Sequence, residues 1–232
     1  MTPRGKLIAI EGIDGSGKRT QLDLLAQALG SRGLSTLLVS FPRYESFFGK
    51  LVARFLNGEF GSVDQVDPHL SALLYAGDRL EAKPEIVAAL ATGKIVLADR
   101  YIASNLAHQS ERVPPERREE YLAWLKELEY RLYGLPEEDL VLYLQVPAPE
   151  AHRLVGLKSV RSYTKRRRDI LEADISHLEQ TALTYERLAT APNWVCINCI
   201  DPGSGALRSP EEIHREVLRV VDARILSQAF HG

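Results

Sequence analysis

The sequence predicts an α/β fold in which a five-stranded parallel sheet is covered by helices on both faces. Short apolar runs of strand length alternate with longer amphipathic segments, and glycine or proline marks most boundaries between them. Strands that are buried on both faces read as such continuous apolar runs. Because 232 residues suffice for one sizeable core, we expect a single domain that spans residues 1–232.

The first strand-helix-strand unit is the clearest part of this pattern. Lys6–Glu11 is an apolar run that ends at a glycine-rich turn, and the apolar residues after the turn recur at helical spacing. Gly30 and Gly33 end that helix. Leu34–Phe41 then supplies the second strand and completes the unit.

The rest of the chain continues the alternation. Asp67 and Pro68 are the residue types of a helix N-cap and first helical position, and this helix extends to about Ala91. The other predicted strands are Lys94–Ala98, Leu140–Val146 and Trp194–Ile200. The other predicted helices are a segment containing Ser104 and Gln109, then Pro114–Tyr133, Pro149–Leu157, Asp169–Thr190 and Pro210–Ala229.

Composition and charge exclude several classes of protein. The net charge is -2 and the pI is near 6.3, whereas domains devoted to nucleic acid are usually basic. No stretch approaches the roughly 18 apolar residues of a membrane span, and the apolar run after Lys6 is too short for a signal peptide. We therefore expect a cytoplasmic protein that binds neither nucleic acid nor a membrane.

The chain has two cysteines, Cys196 and Cys199, with the spacing of a redox pair or of half a zinc site. Both lie in the predicted strand Trp194–Ile200, where residues three apart point to opposite faces. No further cysteine completes a four-ligand site. We therefore expect two reduced structural thiols.

The strongest motif is the loop between the first strand and the first helix. It comprises Gly12, Ile13, Asp14, Gly15, Ser16, Gly17 and Lys18, followed by Arg19 and Thr20. Backbone N–H groups of such a loop surround phosphate oxygens, the helix N-terminus adds its dipole, and the lysine adds a full charge. The motif predicts an ATP site on the three-layer P-loop NTPase fold; the alternative is an incidental glycine turn.

The residue after the lysine departs from the P-loop pattern. A Ser or Thr there normally binds magnesium, but this chain has Arg19, and Thr20 comes one residue later. Asp99 ends an apolar strand, where a carboxylate that binds Mg²⁺ is expected, and Asp14 is a second candidate. Either the metal is held through carboxylates, waters and phosphates, or Thr20 contributes to it.

Five blocks of residues occur in the order seen in the thymidylate kinase family, which the chain resembles over nearly its whole length. The blocks are the P-loop with Asp14, Phe41–Tyr44, Leu74–Arg79, Asp99–Gln109 and an arginine-rich stretch before Asp169–Glu172. The fourth block is the most specific, and in it His108 stands where the family usually has Tyr or Phe. The resemblance implies a homodimer that transfers the γ-phosphoryl group of MgATP to dTMP, giving dTDP and ADP.

The resemblance also implies an acceptor site. Its residues are Asp14, Phe41, Arg43, Tyr44, Tyr75, Arg79, Arg100, Ser104, Asn105, His108 and Gln109. By residue type, the arginines can grip a phosphate, and Tyr75 and Arg79 share a helix face that can present a ring and a donor to a base. Asn105 and Gln109, one turn apart, carry amides that can complement thymine. The alternatives are surface ion pairs and a core tyrosine beside an exposed arginine.

A basic cluster occupies residues 158–168, which we expect to form a mobile lid over ATP. Residues 12–17 contain no arginine or lysine, so transition-state charge needs another donor, and the overall charge does not support a nucleic-acid patch. The lid residues predicted to be catalytic are Arg161, Arg166 and Arg167. The phosphate loop and the family resemblance add Asp14, Lys18, Arg43 and Arg100 as predicted catalytic residues.

Two other functions stay open. A kinase for another nucleoside monophosphate or for a deoxynucleoside would use the same fold, since a fold does not determine a substrate. A nucleotide-binding regulator without catalysis is suggested by Arg19 and His108. ADP release that depends on added dTMP would exclude the regulator.

Overall fold

The computed structural model describes residues 4–156 and 175–227, and it confirms the predicted α/β fold. The strands are β1 (Lys6–Glu11), β2 (Thr36–Ser40), β3 (Ile95–Asp99), β4 (Leu140–Gln145) and β5 (Trp194–Asn198). They form one parallel sheet in the order β2-β3-β1-β4-β5. Because β1 lies between β3 and β4, the loop after β1 opens where the strand order reverses, which is where α/β sheets bind ligands.

Helices cover both faces of this sheet. They are α1 (Lys18–Ser31), α2 (Phe47–Leu56), α3 (Pro68–Ala91), α4 (Ile102–Ser110), α5 (Arg118–Lys126), α6 (Ala148–Gly156), α7 (Ile175–Leu188) and α8 (Pro210–Val221). Short 3₁₀ turns occur at Val63–Gln65 and Pro115–Arg117, and π-helical turns follow α5 at Glu127–Leu132 and α8 at Asp222–Leu226.

The central strand β1 shows why the run Lys6–Glu11 does not alternate between apolar and polar residues. Ile8 and Ile10 pack into one core cluster, which includes residues of α1 and α8. Leu7 and Ala9 pack into a second cluster, which includes residues of α3 and α5. Both faces of the strand are buried, so both sets of alternating side chains are apolar.

The structure differs from the sequence prediction in three helical regions. In one of them, the predicted helix Pro210–Ala229, α8 ends at Val221 and a π-helical turn follows. Helix α2 was not predicted; Ser46 caps it by accepting a hydrogen bond from the backbone N–H of Gly49. The predicted helix Pro114–Tyr133 is divided into a 3₁₀ turn, α5 and a π-helical turn. The strand and helix boundaries otherwise agree to within a few residues among the residues described.

Two further expectations concern the thiols and the membrane. Cys196 on β5 is exposed, Cys199 just after β5 is buried, and neither forms a disulfide, as expected for two separate thiols. In the part of the chain that the structure describes, no helix combines the length and the apolar character that a membrane crossing requires.

Candidate active site

The loop after β1 has the backbone of a phosphate cradle. Gly12 and Gly15 have φ angles of 147° and 93°, in a region that side chains disfavour. A Cβ added to Gly15 would lie 2.2 Å from the carbonyl oxygen of Ala151, so the loop also approaches α6 too closely for any other residue. Lys18 Nζ donates to the carbonyl oxygens of Gly12 and Ile13, both at 2.9 Å. The lysine is therefore folded back over the loop, as a phosphate-binding lysine requires.

A cleft of about 240 Å³ opens beside this loop. Its lining residues are Asp14, Gly17, Lys18, Arg19, Ser40, Phe41, Pro42, Tyr44, Asp99 and Arg100. They come together because the carboxyl ends of β1, β2 and β3 meet at one edge of the sheet, where the register pairs Ile10 with Asp99. The cleft thus unites the predicted ATP loop with part of the predicted acceptor site.

The carboxylates of Asp14 and Asp99 both line the cleft, which fits a magnesium ion. Mg²⁺ is commonly held by one or two carboxylates together with waters and substrate phosphates. No group of three or more His, Cys, Asp or Glu within residues 4–156 and 175–227 forms an all-protein metal cage. Thr20 is exposed on α1 and does not line the cleft, so the structure does not support it as a replacement ligand.

Arg100 is fixed at the junction of the loop, β3 and α4. Its φ angle is 65°, in the left-handed region, and its backbone N–H donates to the carbonyl of Ile10. Nη2 donates to Asp14 Oδ1 at 2.5 Å, and Nη1 donates to Ser104 Oγ at 3.0 Å. Burial acts to lower the pKa of Arg100, but Asp14 and other acidic or phenolic groups outweigh it, so the pKa lies well above its ordinary value. The result is a permanent, pre-oriented cation beside the loop.

Arg43 is oriented by a buried carboxylate on α3. Asp78 is 1% exposed and accepts hydrogen bonds from the backbone N–H of Arg43 at 2.7 Å and from Arg43 Nε at 3.2 Å. Ser46 Oγ donates to the same carboxylate at 2.7 Å. Asp78 therefore ties the loop that carries Arg43 to both α2 and α3.

A second buried carboxylate anchors the start of α4. Glu11 Oε1 accepts from the backbone N–H of Tyr101 at 2.7 Å, and Oε2 accepts from Ser104 Oγ at 2.6 Å and from Tyr185 Oη at 2.9 Å. Burial and then the charge of Glu11 raise the pKa of Tyr185 well above its ordinary value, so the phenol stays a donor. Ser104 is therefore held beneath Arg100 by Glu11.

His108 is an uncharged neighbour of Arg100. Burial, followed by the charge of Arg100, holds the pKa of His108 well below its usual value. His108 Nε2 lies 3.3 Å from Arg100 Nη1, and Nδ1 lies 3.4 Å from His177 Nε2. Because a guanidinium only donates, Nε2 accepts and the proton is assigned to Nδ1. The site thus has a neutral imidazole beside Arg100.

The structure shows how Tyr75 and Arg79, the pair predicted to contact the base, are held on α3. Arg79 is 2% exposed, and its Nε and Nη2 donate to Glu129 Oε2 and Oε1 at 2.5 and 2.6 Å. A buried cation needs a counter-ion, and Glu129 supplies it from the π-helical turn after α5. The ring of Tyr75 packs edge to face against Phe55, with 6.5 Å between centroids.

The two predicted amides have different environments. Asn105 Nδ2 donates to Glu129 Oε1 at 2.8 Å, while Asn105 Oδ1 is buried without a partner among residues 4–156 and 175–227. Gln109 Oε1 already accepts from Ser71 Oγ at 2.8 Å and from Arg112 Nη1 at 2.7 Å. The carbonyl of Asn105 therefore has an unused acceptor among the described residues, whereas that of Gln109 is engaged within the protein.

Four residues that organise the site received no role from the sequence: Glu11, Asp78, Glu129 and Tyr185. Glu129 and Arg79 are 50 positions apart, so no local pattern joins them. The one sequence signal that could have indicated such a role is an acidic residue where the apolar pattern places a core-facing side chain, as at Glu11 after the apolar run of β1. The predicted lid at 158–168, with Arg161, Arg166 and Arg167, lies outside the described residues.

Comparisons with known proteins agree with this geometry. A sequence model of the thymidylate kinase family matches residues 10–217. A thymidylate kinase of Mycobacterium tuberculosis (strain CDC 1551 / Oshkosh) is 33% identical over 202 residues, which cover 85% of this chain and 94% of that protein. A probable thymidylate kinase of Thermococcus gammatolerans is 33% identical over 229 residues, which cover 96% and 99% of the two chains.

The fold agrees as well. A solved thymidylate kinase of Candida albicans matches with a TM-score of 0.73 at 20% sequence identity, over 95% of this chain and 92% of its own. This structural match supports the architecture alone, whereas the two relatives at 33% identity support the family assignment. Because the family pattern covers most of the chain and the phosphate loop has the geometry the pattern requires, the chain belongs to the thymidylate kinase family.

Proposed function

We propose that the protein transfers the γ-phosphoryl group of ATP to dTMP, giving dTDP and ADP. The observation that carries this proposal is the cleft in which Lys18, Asp14 and Arg100 converge, in a chain of the thymidylate kinase family. An acceptor phosphate is already ionised near neutral pH, so the reaction needs no strong general base. Catalysis then rests on positioning and on neutralisation of charge at the transferring group.

On the donor side, residues 12–20 bind the phosphates of ATP, with Lys18 at the β- and γ-phosphates. Asp99 and Asp14 would hold Mg²⁺ together with phosphate oxygens and waters. When bound, the metal neutralises charge that develops on the phosphates. Arg19 lines the same cleft, and its side chain is 65% exposed beside Asp23.

On the acceptor side, Arg100 and Arg43 grip the phosphate of dTMP, and both are pre-oriented by carboxylates. Phe41 and Tyr44 line the same cleft. Ser104 and His108 both contact Arg100 Nη1, on the side where we place the sugar of dTMP. The carbonyl of Asn105 accepts a hydrogen bond from the N3–H group of thymine.

Three parts of the proposal come from the sequence and the family. Arginines of residues 158–168 supply transition-state charge from a lid. The active form is a homodimer, which the exposed apolar side chains of Leu80 and Val87, two turns apart on α3, would support. A cytoplasmic location is the third part and stays a prediction.

The reaction is tested by measuring ADP release with dTMP, dUMP, dCMP, dAMP, dGMP and thymidine as acceptors. We expect release to depend on the acceptor and to be fastest with dTMP. Release with another monophosphate or with thymidine at a higher kcat/KM would favour a different kinase on this fold. Stoichiometric ATP binding without acceptor-dependent release would favour the non-catalytic regulator.

Lys18→Ala is the matched variant for the phosphate loop. We expect it to lower kcat at least a hundredfold with an unchanged circular dichroism spectrum, since a P-loop lysine contacts charge that develops mainly in the transition state. Lys126→Ala, an exposed lysine on α5, is the control and should keep full activity. Normal turnover by Lys18→Ala would refute the assignment of the loop.

A further inference from the structure

Glu129 holds the two residues that the acceptor site offers to a base. It is fully buried in the π-helical turn Glu127–Leu132, and its carboxylate accepts from Arg79 and Asn105 together. We propose that Glu129 is a positioning residue that sets the hydrogen-bond polarity of the base pocket and thereby selects thymine over cytosine. This inference rests on the proposed function and deepens it.

The orientation of the Asn105 amide follows from its surroundings. Its Nδ2 faces Glu129 Oε1 at 2.8 Å and the carbonyl oxygen of Ala72 at 3.1 Å. Both groups can only accept, so the NH₂ must face them, and a rotated amide would bring three oxygens together. Asn105 Oδ1 is consequently directed elsewhere, buried and without a partner among the residues described. A ligand N–H would relieve the cost that an unpaired buried carbonyl carries.

The orientation of Arg79 follows from the same carboxylate. Nε and Nη2 both donate to Glu129, so Nη1 is the one guanidinium nitrogen that does not donate to this carboxylate. A guanidinium has donors only. One carboxylate therefore fixes an acceptor on α4 and a donor on α3, the two helices that pack against each other here.

This pair matches the edge of thymine and opposes the edge of cytosine. Thymine presents N3–H as a donor and O4 as an acceptor, whereas cytosine presents N3 as an acceptor and an amino group as a donor. With cytosine, acceptor would face acceptor and donor would face donor. Such mismatches leave buried polar groups unpaired, which gives strong discrimination.

The π-helical turn explains how an acidic residue reaches this position. Leu128 and Glu129 are consecutive in sequence and both buried, and the backbone N–H of Tyr133 bonds to the carbonyl of Leu128 across the wider turn. Single π turns are frequent at functional sites. Here the turn brings Glu129 between α3 and α4 while Leu128 stays in the core.

Glu129→Gln tests the polarity directly. The glutamine amide offers a donor where the carboxylate offered only acceptors, so the Asn105 amide loses one of the two acceptors that fix its orientation, and its Oδ1 is no longer held toward the ligand. We expect the ratio of kcat/KM for dTMP to that for dCMP to fall at least about tenfold. The ratio is the right readout because both substrates report on the same folded molecules, so partial unfolding cancels.

Two controls separate polarity from packing. Glu138→Gln makes the same change at a carboxylate that is 7% exposed and accepts from Tyr130, and it should keep the ratio within about threefold. Asn105→Ala removes the group through which Glu129 acts. In that background, Glu129→Gln should change the ratio by less than about threefold, because a residue that acts through another loses its effect with it.

Glu129→Gln leaves Arg79 as an unpaired buried cation, which can prevent folding. If so, Arg79→Met with Glu129→Gln removes both charges, and its ratio should lie at least about threefold below that of Arg79→Met alone. An unchanged ratio in the variant that folds overturns the inference. Failure of the wild-type protein to phosphorylate dTMP would instead refute the proposed function, so the two failures are distinguishable.

Discussion

Each arginine of the proposed acceptor site has its own carboxylate: Arg43 has Asp78, Arg79 has Glu129, and Arg100 has Asp14. Fork-shaped guanidinium groups that are held in this way lose little freedom when a phosphate or a base arrives. Removal of one carboxylate also leaves a desolvated cation, which costs more than the loss of a surface ion pair. The carboxylates are therefore as important as the arginines that they orient.

Asp78→Asn is expected to raise the KM for dTMP by about tenfold or more, since hydrogen bonds to charged groups are worth about 1.5–3 kcal/mol. The reason is that asparagine keeps only one of the two acceptor oxygens and no charge, so Arg43 loses either its backbone or its side-chain hydrogen bond and the ion pair. Steady-state kinetics at saturating ATP would measure the effect. Asp222→Asn, which removes an exposed ion pair with Arg32, is the control. An unchanged KM for dTMP in Asp78→Asn would show that Arg43 does not depend on Asp78.

At the scale of elements, the position of Arg43 depends on the close approach of α2. Helix α2 packs on α3, where a Cβ added to Gly77 would lie 2.4 Å from the ring of Phe48. A Cβ added to Gly49 would lie 1.8 Å from the carbonyl oxygen of Arg43. The glycines thus let two helices and the acceptor loop meet at backbone distance.

Gly49→Ala is therefore expected to displace the Arg43 loop, which would raise the KM for dTMP at least about tenfold and lower Tm by several degrees. Kinetics and differential scanning calorimetry would measure both effects. Gly30→Ala is the matched control, because a Cβ at this position in α1 meets nothing within 4 Å. Alanine there should be neutral or stabilise by about 0.5–1 kcal/mol. Equal behaviour of the two variants would refute the packing argument.

At the scale of the whole molecule, one buried acid couples stability to pH. Glu138 precedes β4, and Tyr130 Oη donates to its Oε2 at 2.8 Å. Its Oε1 is buried and has no hydrogen-bond partner within the described ranges 4–156 and 175–227. Burial raises the pKa of Glu138 from 4.5 to about 7. Between these values the folded protein holds a proton that the unfolded chain has released, so the free energy of unfolding falls as the pH rises.

Glu138→Gln cannot ionise and should remove this slope. Relative to the wild-type protein, we expect the variant to gain about 2–3 kcal/mol in free energy of unfolding between pH 5 and pH 8. Urea unfolding at the two pH values would measure it. Glu59→Gln, at an exposed pair with Arg54, should change stability by less than about 1 kcal/mol at either pH. If the free energy of unfolding of Glu138→Gln differed from that of the wild-type protein by the same amount at pH 5 and pH 8, the role of Glu138 would be contradicted.

Most of the fold follows from local patterns in the sequence. Apolar runs, glycine breaks and the cap at Asp67 gave the five strands and most helices, because these signals act over a few residues. Helix α2 was missed because its cap, Ser46, follows an irregular loop that has no strong periodicity. The π-helical turn at Glu127–Leu132 continues a helical pattern and has no signature of its own.

By itself, the sequence determined the phosphate loop and the residue types of the acceptor site, since both consist of short motifs. Tertiary structure decided which of those side chains line the cleft and which pair within the protein. Arg79 and Glu129 meet across 50 positions, and Glu11 meets Tyr185 across 174. Such pairings depend on desolvation, because a buried charge must find a counter-charge wherever the packing of helices provides one. That requirement acts through space, so no spacing along the chain records it.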